Sequence, residues 1–231
     1  MTCLRVWIDR ADSLAAGDWL SVALDRLKSV AVDLRLDPQI VVVGDETPLP
    51  GGPGAIDCPL TLRILEDDRF PADWVHRSTW VTCAAAESLR SRVTAELDWP
   101  NGEGQLWLPL IVTAKGPLYG EAIALDAESG SAESGSTGQF LQPHHLSDRD
   151  RQAAYRLGFE LMNWLRLPPG LYLMQFGFDR PDKDPNPVYF DRLLPFPAAP
   201  AIASIGVQTP DLFECHLRCL LHQPLREVAI L

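Results

Sequence analysis

The residues that decide the fold lie between positions 170 and 194. They read Gly170-Leu-Tyr-Leu-Met-Gln-Phe-Gly-Phe178, then a polar, proline-rich stretch, and then Val188-Tyr-Phe-Asp-Arg-Leu-Leu194. Side chains of a strand point alternately to its two faces, and the even-numbered positions from Tyr172 to Phe178 carry three aromatic rings and a methionine. Two such apolar runs on either side of turn-forming residues predict a β-hairpin with a long loop.

A helix is predicted on each side of this hairpin. Ser147 is suited to cap the first helix, and an apolar face at helical spacing follows it, made of Ala154, Leu157, Leu161 and Leu165. Thr209 is predicted to cap the second helix, with Pro210 at its first position. The apolar stripe of this second helix comprises Phe213, Leu217, Leu220 and Leu221.

A predicted turn at residues 100–104 divides the rest of the chain into two parts. Residues 1–104 are interpreted as a small α/β region, with strands at 3–8, 40–43, 59–65 and 79–82 and helices at 13–30 and 84–97. Residues 105–231 are interpreted as a second module that begins with strands at 106–113 and 118–125.

Two local features of the second module carry predictions of their own. Pro109 has no backbone N–H, so the strand that contains it is predicted to be an edge strand or to carry a bulge. Residues 126–139 are rich in Gly, Ser and Glu and bury too little apolar surface to offset their ordering entropy. They are predicted to form a flexible loop.

The bulk composition excludes several classes of function. The net charge is −11 at pH 7, and no block of Lys or Arg reverses it locally, which argues against binding to nucleic acid or to anionic membranes. No stretch approaches the ~18 consecutive apolar residues of a membrane span, and the first residues lack the apolar run of a signal peptide. With an odd number of cysteines, five, these features predict a cytoplasmic protein with reduced thiols.

Three stretches of sequence carry a family resemblance. They are the strand at 170–178, the segment Phe190-Asp-Arg-Leu-Leu-Pro-Phe-Pro197, and the helix that contains Phe213-Glu-Cys-His-Leu-Arg218. In this order, from Gln139 onward, they resemble the C-terminal lobe of ATP-grasp carboxylate–amine ligases, above all the ATP-dependent carboxyaminoimidazole ribonucleotide synthases. The resemblance implies an α/β (α+β) fold in which helices flank a mainly antiparallel sheet, preceded by the small α/β region.

The resemblance also implies a site for Mg-ATP on the two hairpin strands, where family carboxylates hold magnesium against the phosphates. Position by position, the family's first Glu falls on Gln175, its Asn on Asp191 and its second Glu on Arg192. The Arg of the family's Pro-Arg-Pro falls on Phe196. Gln175, Asp191 and Arg192 are therefore the candidate nucleotide-binding residues, with Asp191 the one remaining metal ligand. Because Arg192 would repel a dication at short range, the site is expected to be vestigial.

Two other groups of residues allow two interpretations each. Cys215, Cys219 and His222 have the spacing to share one helix face as zinc ligands, or they are partly buried thiols and a helix-terminal His. The second interpretation is favoured, because structural zinc sites usually take a Cys-x₂₋₄-Cys hook from a turn. His144-His145 are either ligands or acid–base groups, or they belong to a solvated loop, which is the favoured interpretation.

The replaced ligands predict an ATP-grasp-related protein with impaired or lost Mg-ATP chemistry. Such a protein would act by binding a protein or a nucleotide, in a regulatory or accessory role, and would be neither an enzyme nor dependent on a cofactor. One alternative is an active ligase that uses Mg-ATP and is completed by a partner subunit, since the family's middle lobe cannot be placed here. Another is a pure scaffold. A protein partner or a homo-oligomer is expected, and Trp74, Trp99 and Trp107, near predicted loops, are candidates for the interface.

Overall fold

The structure is a computed structural model that describes residues 1–9, 19–126, 139–179 and 188–231. The predicted flexible loop falls almost wholly outside the described residues, as does most of the hairpin loop. The strands are β1 Thr2–Ile8, β2 Leu36–Val42, β3 Ile56–Pro59, β4 Leu106–Thr113, β5 Gly116–Tyr119, β6 Ile123–Asp126, β7 Gln139–Leu141, β8 Gly170–Phe178, β9 Val188–Leu194, β10 Gln208–Thr209 and β11 Ala229–Ile230. The helices are α1 Trp19–Asp33, α2 Arg77–Ala84, α3 Ala86–Leu97, α4 Asp148–Leu165 and α5 Leu212–Leu220, with 3₁₀ helices at Leu62–Glu66 and Ala199–Ser204.

The N-terminal part of the chain forms a three-stranded parallel sheet in the order β2-β1-β3. Its central strand β1 carries Leu4, Val6 and Trp7, all fully buried. Asp57 on β3 accepts hydrogen bonds from the Arg5 guanidinium, at 2.7 and 2.8 Å, and from the Trp7 indole, at 2.7 Å. A parallel pair needs a crossover connection, and α1 provides it between β1 and β2.

The larger sheet has six strands in the order β7-β6-β4-β8-β9, with β5 paired to β4. Every pairing between its described strands is antiparallel. The predicted hairpin is confirmed as β8 and β9, and the helix capped by Ser147 is confirmed as α4, with the Ser147 side chain accepting from Asp150 N. The predicted fold class, a mainly antiparallel sheet flanked by helices, is therefore correct.

Two apolar cores lie on the two sides of this larger sheet. Leu171 and Leu173 of β8 belong to the core shared with the N-terminal sheet, α1 and α5. Tyr172, Met174 and Phe176, whose side chains alternate with these, belong to the core beneath α3 and α4. The first of these cores contains residues from both parts of the chain. An ion pair between Arg26 and Asp211 also connects α1 to the start of α5.

Several local predictions were wrong, each for a physical reason. The β-branched residues around Thr79 suggested a strand, but they form α2, because Trp80 and Cys83 share one buried helix face. The predicted strand at 59–65 ends at Pro59, where Thr61 caps a 3₁₀ helix by accepting from Arg63 N.

Two further predictions, the Thr209 cap and the edge-strand alternative for Pro109, failed because tertiary pairing decided the outcome. Thr209 does not cap α5, because it pairs with Ala229 in β10, and the Asp211 carboxylate caps the helix by accepting from Glu214 N. Pro109 lies in β4, which is an interior strand. The strand tolerates proline there because its other partner is interrupted between β5 and β6, where Gly120 N donates to Pro109 O at 2.9 Å.

The close approach of Gly104 to β8 generates a testable prediction. A Cβ added at Gly104 would lie 2.3 Å from the Phe176 carbonyl oxygen, a backbone atom that cannot swing away. Gly104→Ala is expected to lower the free energy of unfolding by about 3 kcal/mol, the upper end of overpacking costs, as measured by urea denaturation. Gly52→Ala is the matched control, because a Cβ there meets nothing within 4 Å; equal stability of the two variants would contradict the packing argument.

Candidate functional site

A cavity of about 380 Å³ opens on the β8–β9 face of the larger sheet. The rings of Trp19, Trp107, Phe140 and Phe196 form much of its wall. Its polar lining residues are Thr61, Arg63, Gln175 and Arg192, and none of the described residues that line it is Asp or Glu. The protein has a net charge of −11, but the charged side chains that line this cavity, Arg63 and Arg192, are both positive.

Three of the lining residues lie side by side on adjacent strands of the sheet. Trp107 on β4 is in register with Gln175 on β8, and Gln175 is in register with Arg192 on β9. Directly opposite residues share a face of a sheet, with neighbouring strands about 4.8 Å apart. We call Trp107, Gln175 and Arg192 the cross-strand row. It places an indole, a carboxamide and a guanidinium along one edge of the cavity.

Asp191 does not line this cavity, although its neighbour Arg192 does. Its side chain is 2% exposed. One carboxylate oxygen accepts from the Arg90 guanidinium of α3, and the other accepts from Gly104 N at 2.9 Å. Arg90 Nε also donates to the Asp191 carbonyl at 2.8 Å, so this carboxylate is committed to holding α3 and residues 98–105 against β9.

Gln175 is likewise held by an internal contact. Its Nε2 donates to the Gly104 carbonyl at 2.6 Å. A glutamate at this position would direct a carboxylate oxygen at a carbonyl oxygen. The amide is therefore suited to this backbone, whereas the metal-binding carboxylate that the resemblance implies is not.

The residues present do not fit a magnesium ion. Magnesium is bound through carboxylate and phosphate oxygens, whereas the two cavity positions where the resemblance implies metal ligands carry a neutral amide and an arginine. Asp191, the remaining carboxylate, is already bonded to Arg90 and Gly104. Over the described ranges, no group of three or more His, Cys, Asp or Glu side chains is arranged to hold a metal ion. The role of Asp191 as a metal ligand stays a prediction that no observation supports.

Sequence reasoning missed several residues of this site. Trp107 was a candidate for an interface, but it is 8% exposed and lines the cavity. Trp99 is buried and donates to Glu160. The sequence did not single out Arg63 or Arg90. Arg63 pairs with Asp9 and Arg90 pairs with Asp191, and both partners are distant in the chain. Only the register of β4 against β8 brings Trp107 beside Gln175.

A second, smaller cavity of about 210 Å³ is lined by His76, His222 and Cys219. Burial, with a smaller contribution from His222, lowers the pKa of His76 to about 4. Burial, and then the charge of His76, lowers the pKa of the neighbouring His216 to about 3. Burial raises the pKa of the Cys219 thiol to about 12. Cys215 and Cys219 are buried in the core and His222 is exposed just beyond the end of α5, which agrees with the favoured interpretation of this group.

His144 and His145 lie outside both cavities. His145 is exposed, and His144 contributes its backbone N–H to Ala122 O at 2.7 Å. The described residues contain no helix that is both long and apolar enough to cross a membrane.

Several solved structures share this fold. The N5-carboxyaminoimidazole ribonucleotide synthetase from Thermus thermophilus has a TM-score of 0.66 at 12% identity, over 97% of this chain and 79% of that one. Glycinamide-RNase-transformylase T from Mycobacterium tuberculosis has a TM-score of 0.60 at 15% identity, over 96% and 80%. The L-amino acid ligase from Bacillus licheniformis has a TM-score of 0.61 at 10% identity, over 95% and 74%. No protein-family model and no curated protein matches the chain.

The chain therefore has an ATP-grasp-like fold. The sequence resemblance began at Gln139, but the structural likeness covers nearly the whole chain and so includes residues 1–104. At these low identities the likeness concerns the fold, and chemistry has to be argued from the site itself.

The buried ion pair of Asp191 generates a prediction about stability. Asp191→Ala would leave Arg90, whose side chain is 17% exposed, without its carboxylate. The free energy of unfolding is expected to fall by about 3 kcal/mol, because removing one partner strands a buried charge. Asp25→Ala is the control, since Asp25 is 76% exposed and its pair with Lys28 is worth little. A loss below about 1 kcal/mol in urea denaturation would show that Asp191 is not a structural carboxylate.

The buried histidines generate a prediction about pH. Their pKa values are lowered in the folded protein, so below about pH 6.5 the unfolded chain binds protons that the folded chain refuses. Stability is expected to be complete above that pH and to fall towards pH 4, by up to about 1.4 kcal/mol per pH unit for each histidine. Denaturation curves at several pH values give the slope of the free energy of unfolding against pH. His76→Phe should reduce this slope by the contribution of one proton. The exposed His145→Gln should not, and an unchanged slope in His76→Phe would refute the assignment.

Proposed function

We propose that this protein binds a ligand on an ATP-grasp-like frame without turning over Mg-ATP, in an accessory or regulatory role. The observation that carries the proposal is the cross-strand row. Its members Gln175 and Arg192 occupy the positions where the resemblance implies magnesium-binding carboxylates, and they offer a neutral amide and a cation. Catalysis by an ATP-grasp ligase depends on metal ions that neutralise the developing phosphate charge. An amide and a cation in place of carboxylates remove the groups that would bind those metal ions.

The path of the chain supports the same proposal. The resemblance implies a middle lobe that supplies a lysine and a Gly-rich loop over the phosphates. Here α3 ends at Leu97 and β4 begins at Leu106, so only residues 98–105 connect the two elements. This connection contains no lysine, and Gly104 within it is bonded to both Gln175 and Asp191. The connection thus contributes to the framework of the site and is itself too short to form a lobe.

A ligand-binding role is favoured over a pure scaffold because the protein has a cavity of suitable size. Its volume of about 380 Å³ lies within the ~300–1,000 Å³ range of small-molecule sites, which combine apolar walls with a few placed polar groups. A scaffold has no use for such a cavity. The active-ligase alternative needs a partner that contributes the missing phosphate contacts and would still leave Arg192 in the position of a metal ligand.

Calorimetric titration and a hydrolysis assay with ATP test the proposal. We expect no magnesium-dependent release of phosphate, and any heat of nucleotide binding to be the same with magnesium as with EDTA. Magnesium-dependent hydrolysis that Asp191→Ala abolishes, in a variant shown to be folded, would establish the ligase instead. Failure of any small molecule to bind, together with a stable protein partner, would favour the scaffold.

A charge-reversal variant sharpens this test. Arg192→Glu restores the carboxylate that the resemblance implies, so the variant is expected to gain affinity for Mg²⁺ in titrations with the ion alone, because Coulomb repulsion becomes attraction. Arg92→Glu is the matched control: Arg92 is 46% exposed, against 45% for Arg192, and lies on α3 away from the cavity. Equal magnesium binding by both variants would mean that Arg192 does not determine the metal preference of the site.

A further inference from the structure

The cross-strand row is rich in hydrogen-bond donors, and one of its donors is unused. In the part of the chain that the structure describes, Trp107 Nε1 is buried without a hydrogen-bond partner. Buried donors in folded proteins are almost always paired, so an orphan N–H in a cavity wall calls for an explanation. An acceptor atom on a bound molecule would provide it.

Arg192 supplies the charge for such a molecule. Arg192 Nε lies 3.2 Å from Asp191 Oδ1, but the same oxygen also accepts from Arg90. One buried carboxylate is thus shared by two guanidinium groups. The further partner of Arg90, Glu87 at 3.9 Å, is 96% exposed and contributes little, so a positive charge is left in excess at the cavity edge. Arg63, the other cation of the lining, is matched by Asp9 at 2.7 Å and Glu66 at 2.9 Å. The excess charge is therefore at Arg192.

The remaining walls define the body of the ligand. Trp19, Phe140 and Phe196 contribute aromatic surface, and Leu194 and the 3₁₀ helix Ala199–Ser204 contribute aliphatic surface. The volume of about 380 Å³ is near the lower limit of ligand pockets, which span ~300–1,000 Å³. A compact, flat apolar molecule fits these walls better than a bulky polar one.

We propose that the cavity binds a small carboxylate with an aromatic or otherwise flat apolar body, without any metal ion, through the cross-strand row. The Arg192 guanidinium holds the carboxylate by charge-assisted hydrogen bonds, the Trp107 indole donates to it or to an adjacent acceptor, and Gln175 separates the two donors at a fixed spacing. This inference rests on the proposed function. The positions that the resemblance assigns to metal-binding carboxylates carry a positive charge here, so the site selects an anion instead of a metal cation.

Titration calorimetry with a matched pair of probes tests the inference. Naphthalene-2-carboxylate and its neutral analogue naphthalene-2-carboxamide are titrated into the 231-residue protein in the presence of EDTA. The carboxylate is expected to bind at least about tenfold more tightly, since hydrogen bonds to a charged group carry that much of the affinity. Equal affinities for the two probes, or no binding of either, would overturn the inference.

Variants of the row locate the binding. Arg192→Gln should abolish the preference for the carboxylate, and Arg192→Lys should retain part of it, whereas Arg92→Gln, at a site of matched exposure, should leave it unchanged. Trp107→Phe keeps an aromatic ring and removes the N–H, so it should weaken binding of the carboxylate. A preference that survives Arg192→Gln in a folded variant would place the anion elsewhere and refute the site. Neither result bears on Mg-ATP turnover, so failure here leaves the proposed function standing on its own assays.

Discussion

Gly104 is the point on which the geometry of the site depends. Its N–H donates to the Asp191 carboxylate and its carbonyl accepts from the Gln175 amide, so a single residue without a side chain connects β8 and β9. Asp191 extends the connection to Arg90 on α3. A buried carboxylate is tolerated only when its partners are all in place. The β8–β9 register shifts by one residue at Asp191, which lies between Phe190, opposite Phe176, and Arg192, opposite Gln175. This bulge leaves Asp191 under α3 and puts Arg192 on the cavity side of the sheet.

The elements that could be predicted from the sequence are those with local causes. The hairpin of β8 and β9 has its own periodicity and turn residues, and α4 has a capping serine and an apolar face. The failures had distant causes. Residues 79–82 favour strand locally, but burial of Trp80 made them helical, and Thr209 was drawn into a pairing with Ala229, far along the chain. Such pairings leave no signature in the segment itself.

The candidate site could be predicted in part. Gln175 and Arg192 were expected to lie together, and they are opposite each other in the β8–β9 register. Which of Asp191 and Arg192 faces the cavity could not be predicted, because a bulge leaves Asp191 unpaired between Phe190 and Arg192 and breaks the period of two. Trp107 was out of reach, since its position beside Gln175 follows from the pairing of β4 with β8, and no local pattern specifies that register. The chemistry of Gln175 and Arg192 could thus be predicted from the sequence, whereas the position of Trp107, the third member of the row, could not.

The connection of residues 98–105 also has an entropic consequence. Because α3 ends close to where β4 begins, closing this segment constrains few residues, and the loop-closure entropy grows only slowly if residues are added: each doubling of loop length costs about 0.6 kcal/mol. Extra chain could therefore be accommodated here only if it enters before Trp99, because Trp99 is buried, Pro100 and Gly102 share backbone hydrogen bonds with Phe190, and Gly104 contacts β8. The junction is in this sense permissive at the end of α3 and rigid from Trp99 onward.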